Sequence, residues 1–223
     1  IENGYLRWYD RELEAMPPSA KVLELGVKDG GSLLLWRDYF PQGTVTGLDK
    51  NLSNLQYARD AYDRLRVYEG SQADPVLLQQ IAHERAPEGF DLIVDDASHV
   101  GWLTRESFRI LFGDHLKPGG IYVIEDWTTG YWQDWSDGRT HHPRAGLQAS
   151  MYGLLKRTGL IKSVPSDNHP YGMVGFVKEL VDEQGARDRL RGLQARPPIR
   201  NSKFERMVVY PSVAFIHKSS GAA

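Results

Sequence analysis

The sequence contains no cysteine, which excludes disulfides, cysteine-bound zinc and a thiol nucleophile at once. It has no excess of positive charge. Its 27 Lys plus Arg face 29 Asp plus Glu, a formal net charge of −2, whereas nucleic-acid binding normally calls for a basic face. No apolar run approaches the roughly 20 residues that span a bilayer. No signal-peptide pattern is visible, and the chain starts at Ile1 without Met, so a trimmed N-terminus and a cytoplasmic location are the expectations. The glycine-rich turn at 26–31 lacks the G-x-G-x-x-G fingerprint, because position 28 is Lys, and it lacks the Gly-Lys-Ser/Thr of a Walker loop. A nucleoside ligand therefore suits it better than a bulky pyrophosphate. The 223 residues are 41% hydrophobic and 25% charged, which suits one globular α/β domain. No internal repeat or second domain is visible.

Short apolar runs alternate with amphipathic segments. Helical spacing over Tyr5 to Met16 ends at Pro17-Pro18. Strands are predicted over Lys21–Leu25, Thr44–Leu48, Arg66–Glu69, Phe90–Val94 and Ile121–Ile124. Between them, Ser32 is placed to cap a helix reaching Tyr39, Leu52 to Leu65 reads as helical, Pro75 opens a helix, and Trp102 to Phe112 forms another. The strands are continuously apolar, which means that both faces are covered, as in a parallel sheet. The fold class is therefore α/β, doubly wound and mostly parallel. Trp127 to Arg144, rich in Gly, Asp, Trp and His, reads as a long loop, so 127–144 is expected to be a lid or acceptor loop. Helices are predicted at Leu147–Lys156 and Leu180–Leu193 within a less regular stretch, and 166–205 is taken as an irregular, partly helical insertion. Met207–His217 is read as an antiparallel last strand, with Pro211 marking a bend or an edge.

Two carboxylate pairs stand where buried strands run out. Asp95-Asp96 follows Phe90–Val94, and Glu125-Asp126 follows Ile121–Ile124. His99 lies three residues past the first pair. In an open parallel sheet, ligands bind at the carboxyl ends of the strands. Acids and a histidine gathered there suggest a metal site with a base beside it. Carboxylates without thiolates suit a hard cation such as magnesium. Asp49 ends the second strand, where an acid can accept hydrogen bonds from ribose hydroxyls. The plainer alternative is that these acids and His99 cap turns and helices.

Leu23-Glu24-Leu25-Gly26, Gly47-Leu48-Asp49 and Leu116-Lys117-Pro118-Gly119-Gly120 resemble the signature of class I S-adenosylmethionine-dependent methyltransferases. More narrowly, Trp36–Pro41, Asp95-Asp96-Ala97-Ser98-His99, Tyr122–Asp126, Thr129–Trp132 and Tyr210–Ile216 resemble the metal-dependent sugar O-methyltransferases of macrolide biosynthesis and their cephalosporin-hydroxylase-like relatives. This resemblance implies that Glu24, Gly26 and Ser32 line the methionine part of S-adenosylmethionine. By the same resemblance Asp49 holds the ribose, Gln72, Ala73 and Asp74 meet the adenine, and Asp95 meets the methionyl ammonium. It further implies magnesium on Asp96, Glu125 and Asp126, with His99 as general base toward a metal-chelated diol. An imidazole titrating near 6.5 can accept a proton at neutral pH.

Tyr131, Trp132, Trp135, His141 and His142 crowd the long loop. Aromatic faces stack on sugar rings, so Tyr131, Trp132, His141 and His142 are candidate acceptor contacts. A loop packed by its own aromatics explains them equally. The arginines between 187 and 206 are diluted by acids and read as a solvated helix face or a subunit contact of a homo-oligomer. The expected activity is transfer of a methyl group to a sugar hydroxyl, on an oligosaccharide or a glycosylated natural product. The alternatives are a catechol or phenol methyltransferase, an iron-using hydroxylase-like relative, and a non-catalytic binding protein.

Overall fold

The computed structural model describes residues 4–57, 62–140, 147–160, 169–185 and 204–221. Within them run α1 (Leu6–Leu13), β1 (Lys21–Leu25), α2 (Gly31–Tyr39), β2 (Thr44–Asp49), β3 (Leu65–Glu69), α3 (Pro75–Arg85), β4 (Phe90–Asp95), α4 (Gly101–Asp114) and β5 (Leu116–Ile124). Then come two short 3₁₀ turns, α5 (Leu147–Arg157), α6 (Gly172–Gln184), β6 (Phe204–Tyr210) and β7 (Val213–Lys218). The seven strands form one sheet in the order β3-β2-β1-β4-β5-β7-β6. The first five strands are parallel, and β7 joins β5 and β6 antiparallel. The doubly wound expectation, with an antiparallel end, holds.

Alternation along the strands sorts the core onto two faces. Leu23, Ile93, Tyr122 and Ile124 point to the side covered by α3, α4 and α6, where Leu78, Phe108 and Phe176 meet them. Val22, Leu92, Val94 and Val123 point to the side of α1 and α2, against Tyr9, Leu33 and Trp36. Full burial on both faces explains the continuous apolar strands.

The strand order reverses beside β1, whose neighbours are β2 and β4. Connections leave in opposite directions there and open a crevice at the carboxyl ends. A stair of backbone bonds locks this rim. Gly26 N–H donates to Leu48 O, Asp96 N–H to Leu25 O, and Glu125 N–H to Asp95 O, at 2.7, 2.9 and 3.0 Å. Gly26 has φ +86°, and a Cβ on it would stand 2.3 Å from the Asp96 carbonyl oxygen. Only glycine lets the β1 and β4 exits lie this close.

Three local expectations are corrected. Leu52–Tyr57 forms turns and no helix. Asn51 Oδ1 takes the Ser53 N–H, and the segment folds back so that Gln56 N–H donates to Asp29 O and the Tyr57 hydroxyl to Gly30 O. Side-chain and tertiary bonds thus override the helical spacing. Residues 58–61 lie outside the described residues. The late helix runs over Gly172–Gln184, earlier than Leu180–Leu193. Its first turn is held because Asp137 Oδ2 accepts the Met173 N–H at 2.8 Å, and its apolar face is buried through Met173, Val174, Phe176 and Leu180. Residues 186–193 lie outside the described residues. The last strand is two strands, joined at Pro211-Ser212 with Tyr210 opposite Val213. Proline fixes the first turn residue and Ser212 takes φ +68°, as a type II turn requires. No helix among the described residues is long and apolar enough to cross a membrane.

Candidate active site

Two sub-sites adjoin at the rim. The first is a cleft lined by Gly26, Leu48, Asp49, Ser71, Gln72 and Ser98, among others. Asp49 fastens its floor: Oδ2 accepts the Val27 and Lys28 N–H groups at 2.9 and 3.0 Å, and Oδ1 the Asn51 N–H at 3.1 Å. Gln72 bridges two strand exits, donating to Asp95 Oδ1 at 3.1 Å and accepting the Ser98 N–H at 3.1 Å. Ser32 is not the cap of α2, because the helix starts at Gly31 behind a left-handed Gly30. Its side chain lies near Glu24, where it opposes the rise of that carboxyl. Asp74 is the cap of α3 and accepts from Val76 and Leu77 N–H, so its carboxylate is committed to the helix end. Neither Asp74 nor Ala73 lines the cleft.

The second sub-site is acidic. One ligand atom each from Asp96, His99 and Asp126 lies within 4.8 Å of the others. Residues thirty apart in sequence thus meet where a single ion could touch them. Strand alternation accounts for part of this. Val94 and Val123 face α1 and α2, so Asp96 and Glu125, two residues further on, face that side too. Glu24, between Leu23 and Leu25, shares it. Asp126 would alternate away, but it adopts φ +50°, ψ +29°. His99 has φ +52°. Left-handed backbone at two non-glycine residues of one cluster is the kind of strain that functional sites retain.

Glu125, an expected metal ligand, is not among the three residues whose ligand atoms lie within 4.8 Å of one another, although it shares with Asp126 a tyrosine partner. Its Oε1 accepts the Tyr9 hydroxyl at 2.5 Å, and Asp126 Oδ1 accepts the Tyr5 hydroxyl at 2.6 Å. His99 Nε2 stands 3.8 Å from Asp96 Oδ1, and its Nδ1 is buried without a hydrogen bond. The Trp135 ring meets the His99 ring edge-on at 4.9 Å.

Electrostatics set this cluster apart. Burial, then repulsion from Glu125, Glu24 and Asp126, holds the Asp96 carboxyl far above the usual carboxylate range. Burial raises Glu24 to about 8, although Ser32 and Trp36 oppose the shift, and Glu24 Oε2 has no hydrogen bond. Burial raises Glu125 too, against the Tyr9 bond. Burial pushes His99 below its ordinary value. Among the described residues, the strongest influences on these acids are burial, other acids and hydrogen-bond donors, not a lysine or arginine. A cluster of buried acids that lacks a cation fits a divalent ion, which would reverse each upward shift.

Asp95 differs from its neighbour Asp96. Buried under the sheet's other face, it accepts from Ser107 Oγ at 2.7 Å, Tyr122 Oη at 2.9 Å and Gln72 Nε2. Tyr131 and Trp132 are exposed on the loop that follows Asp126, with Tyr131 5.3 Å from the His169 ring. His141 and His142 lie outside the described residues. Sequence reasoning missed Tyr5 and Tyr9. Their spacing of four on a predicted helix marks a shared face, but nothing in it tells which strand ends that face will meet.

No protein-family model matches the sequence. The chain is 31% identical over 208 residues to mycinamicin VI 2''-O-methyltransferase of Micromonospora griseorubida, covering 82% of this chain and 50% of that protein. It is 31% identical over 212 residues to demethylmacrocin O-methyltransferase of Streptomyces fradiae, covering 82% and 51%. The solved structure of MycE methyltransferase from the mycinamycin biosynthetic pathway, in complex with Mg, SAH and mycinamycin VI, matches with a TM-score of 0.71 at 29% identity, over 98% of this chain and 50% of that one. The chain spans about half the length of the curated relatives it matches. The fold is that of the class I methyltransferases.

Proposed function

We propose that this chain, which belongs to the family of the macrolide-sugar O-methyltransferases, carries an S-adenosylmethionine- and magnesium-dependent O-methyltransferase activity on a sugar hydroxyl. The acceptor class is a glycosylated natural product or an oligosaccharide. The observation that carries this reading is the meeting of Asp96, His99 and Asp126 within 4.8 Å at the rim, beside the cleft.

In this reading the cleft of Asp49 and Gln72 holds the nucleoside part of the cofactor, with Gly26 at its edge toward the methionine part, which buried Glu24 and half-buried Ser32 border. Asp49 keeps the glycine-rich turn folded through its bonds to Val27 and Lys28. Asp95, saturated by Ser107, Tyr122 and Gln72, supports the cleft from below. Asp96 and Asp126, with Glu125 next to them, would hold magnesium, which supplies positive charge that makes a nearby sugar hydroxyl more acidic. His99 is neutral at neutral pH because burial disfavours its cation, and it accepts the hydroxyl proton as methyl transfer begins. Trp135 packs edge-on against the His99 ring and limits how that ring can turn. The loop over 127–140, with Tyr131 and Trp132 exposed, covers the acceptor.

The test is a methyl-transfer screen over macrolide glycosides, oligosaccharides and catechols, with magnesium and with chelator. Transfer to glycosides that stops on chelation is expected. Transfer to catechols alone would move the acceptor class to phenols. Cofactor binding with no transfer to any acceptor would defeat the enzymatic reading.

A further inference from the structure

The acids of the metal rim do not stand alone, because α1 reaches them. Tyr5 and Tyr9 are four residues apart and so share one helix face. Their hydroxyls donate to consecutive residues of the rim, Tyr5 to Asp126 Oδ1 and Tyr9 to Glu125 Oε1. Consecutive strand residues normally point to opposite faces. The left-handed backbone at Asp126 removes that alternation and turns both carboxylates to one helix.

Both rings are fixed. Tyr9 is packed edge-on against Trp36 and Phe215, at 5.0 and 5.1 Å. Tyr5 lies against Trp8, which stacks on Tyr210. One turn further, Glu12 anchors the helix to the β6–β7 hairpin, accepting from Tyr210 Oη at 2.8 Å and pairing with His217 and Arg206. A helix pinned at its far end and packed by aromatics is a rigid source of two donors. Each donor occupies one oxygen of its carboxylate and leaves the other oxygen free for a further partner.

Resting on the metal reading above, we propose that Tyr5 and Tyr9 are positioning residues of the metal site. Their hydroxyls set the rotamers of Asp126 and Glu125, so that each offers its remaining oxygen to the ion. The N-terminal helix is then part of the site and not only a cover for the core. Groups that orient metal ligands from behind typically change affinity about 10–100-fold when removed.

The experiment measures Mn²⁺ binding by calorimetry and by its electron paramagnetic resonance signal, on the wild type, Tyr5→Phe, Tyr9→Phe, Glu125→Gln, Tyr9→Phe/Glu125→Gln and Asp126→Asn. Affinity for S-adenosylhomocysteine and melting temperature are recorded alongside. Each single tyrosine change is expected to weaken Mn²⁺ binding about tenfold or more, with S-adenosylhomocysteine affinity retained. In the Glu125→Gln background, Tyr9→Phe should cost no more than about twofold, because its partner is already lost. Wild-type Mn²⁺ affinity in both tyrosine variants, with binding lost in Asp126→Asn, would overturn this inference and leave the metal reading standing. An equal loss in both backgrounds would also overturn it, since Tyr9 would then act through packing alone. If the wild type takes up no Mn²⁺, the metal reading falls and the inference with it. The two tyrosines are tested separately, so a variant that does not fold leaves the other to decide.

Discussion

Asp95 and Asp96 are neighbours of the same residue type, and the fold gives them different company. Asp95 points to the α4 face, where Ser107, Tyr122 and Gln72 saturate it. Asp96 points to the α1 face, where Glu24, Glu125 and Asp126 repel it. Burial raises both carboxyls, but one residue of strand register separates an acid met by three donors from one met by three other acids. Acids with full sets of donors belong to structure. An acid whose surroundings oppose its charge persists where something else, such as a cation, supplies the balance. Glu125 and Asp126 fall between these cases, since each has one tyrosine hydroxyl.

The comparison breaks most visibly in turnover. Asp96→Ala and Asp126→Ala should each lower magnesium-dependent methyl transfer by about 10²–10⁴-fold, the order expected when several kcal/mol of charge stabilisation go. Titration of magnesium against initial rate checks this, and wild-type rates in either variant would remove that acid from the site. His99→Ala should lower the rate by about 10²-fold or more while leaving S-adenosylhomocysteine affinity at the wild-type level. The decisive reading is the rate at neutral pH, because full activity there would end its role as a base.

Stability should move the other way within the first pair. Asp95→Ala strips the Ser107 and Tyr122 hydroxyls of their buried acceptor and should cost about 1–3 kcal/mol, read as a lower urea midpoint. Asp96→Ala removes repulsion among metal-free acids and should raise the midpoint of the metal-free protein. If both changes lower it equally, the distinction between the two aspartates is wrong.

Much of this was legible in the sequence. The parallel strands were readable because short, mostly apolar runs such as Leu92–Val94 and Ile121–Ile124 recur between amphipathic segments, and the acids at the ends of β4 and β5 were readable because those runs stop at carboxylates. The sorting within each pair was not, since it depends on which face every second residue takes and on the left-handed turn at Asp126. Leu52–Tyr57 carries helical spacing, yet bonds to Asp29 and Gly30 turn it onto the glycine-rich loop. The start of α6 at Gly172 was hidden because its first turn is held by Asp137, distant in sequence. Tyr5 and Tyr9 could be placed on a helix but not against a strand end, because docking is set by Glu12 and the β6–β7 hairpin.

The most gradual expected effect is a pH slope, and Glu24 contributes to it. Burial raises this carboxyl from 4.5 to about 8 in the folded protein. In the unfolded chain it releases its proton near the ordinary carboxylate value. Between those two values the folded state binds more protons than the unfolded one, so stability falls as pH rises. Glu24 thus favours the metal-free fold fully below about pH 4.5, and that contribution is gone above about pH 8. Glu125 is raised for the same reason and acts in the same direction. The melting temperature of the metal-free protein should therefore decline as pH is raised through this window, and Glu24→Gln should flatten part of the decline. Magnesium should oppose it, since its ligands bind it in their deprotonated form and its binding releases protons. A series of thermal melts across that range, with and without magnesium, checks both halves. A metal-free protein that instead gains stability toward pH 8 would mean that the acids on the α1 face are not held neutral by their surroundings.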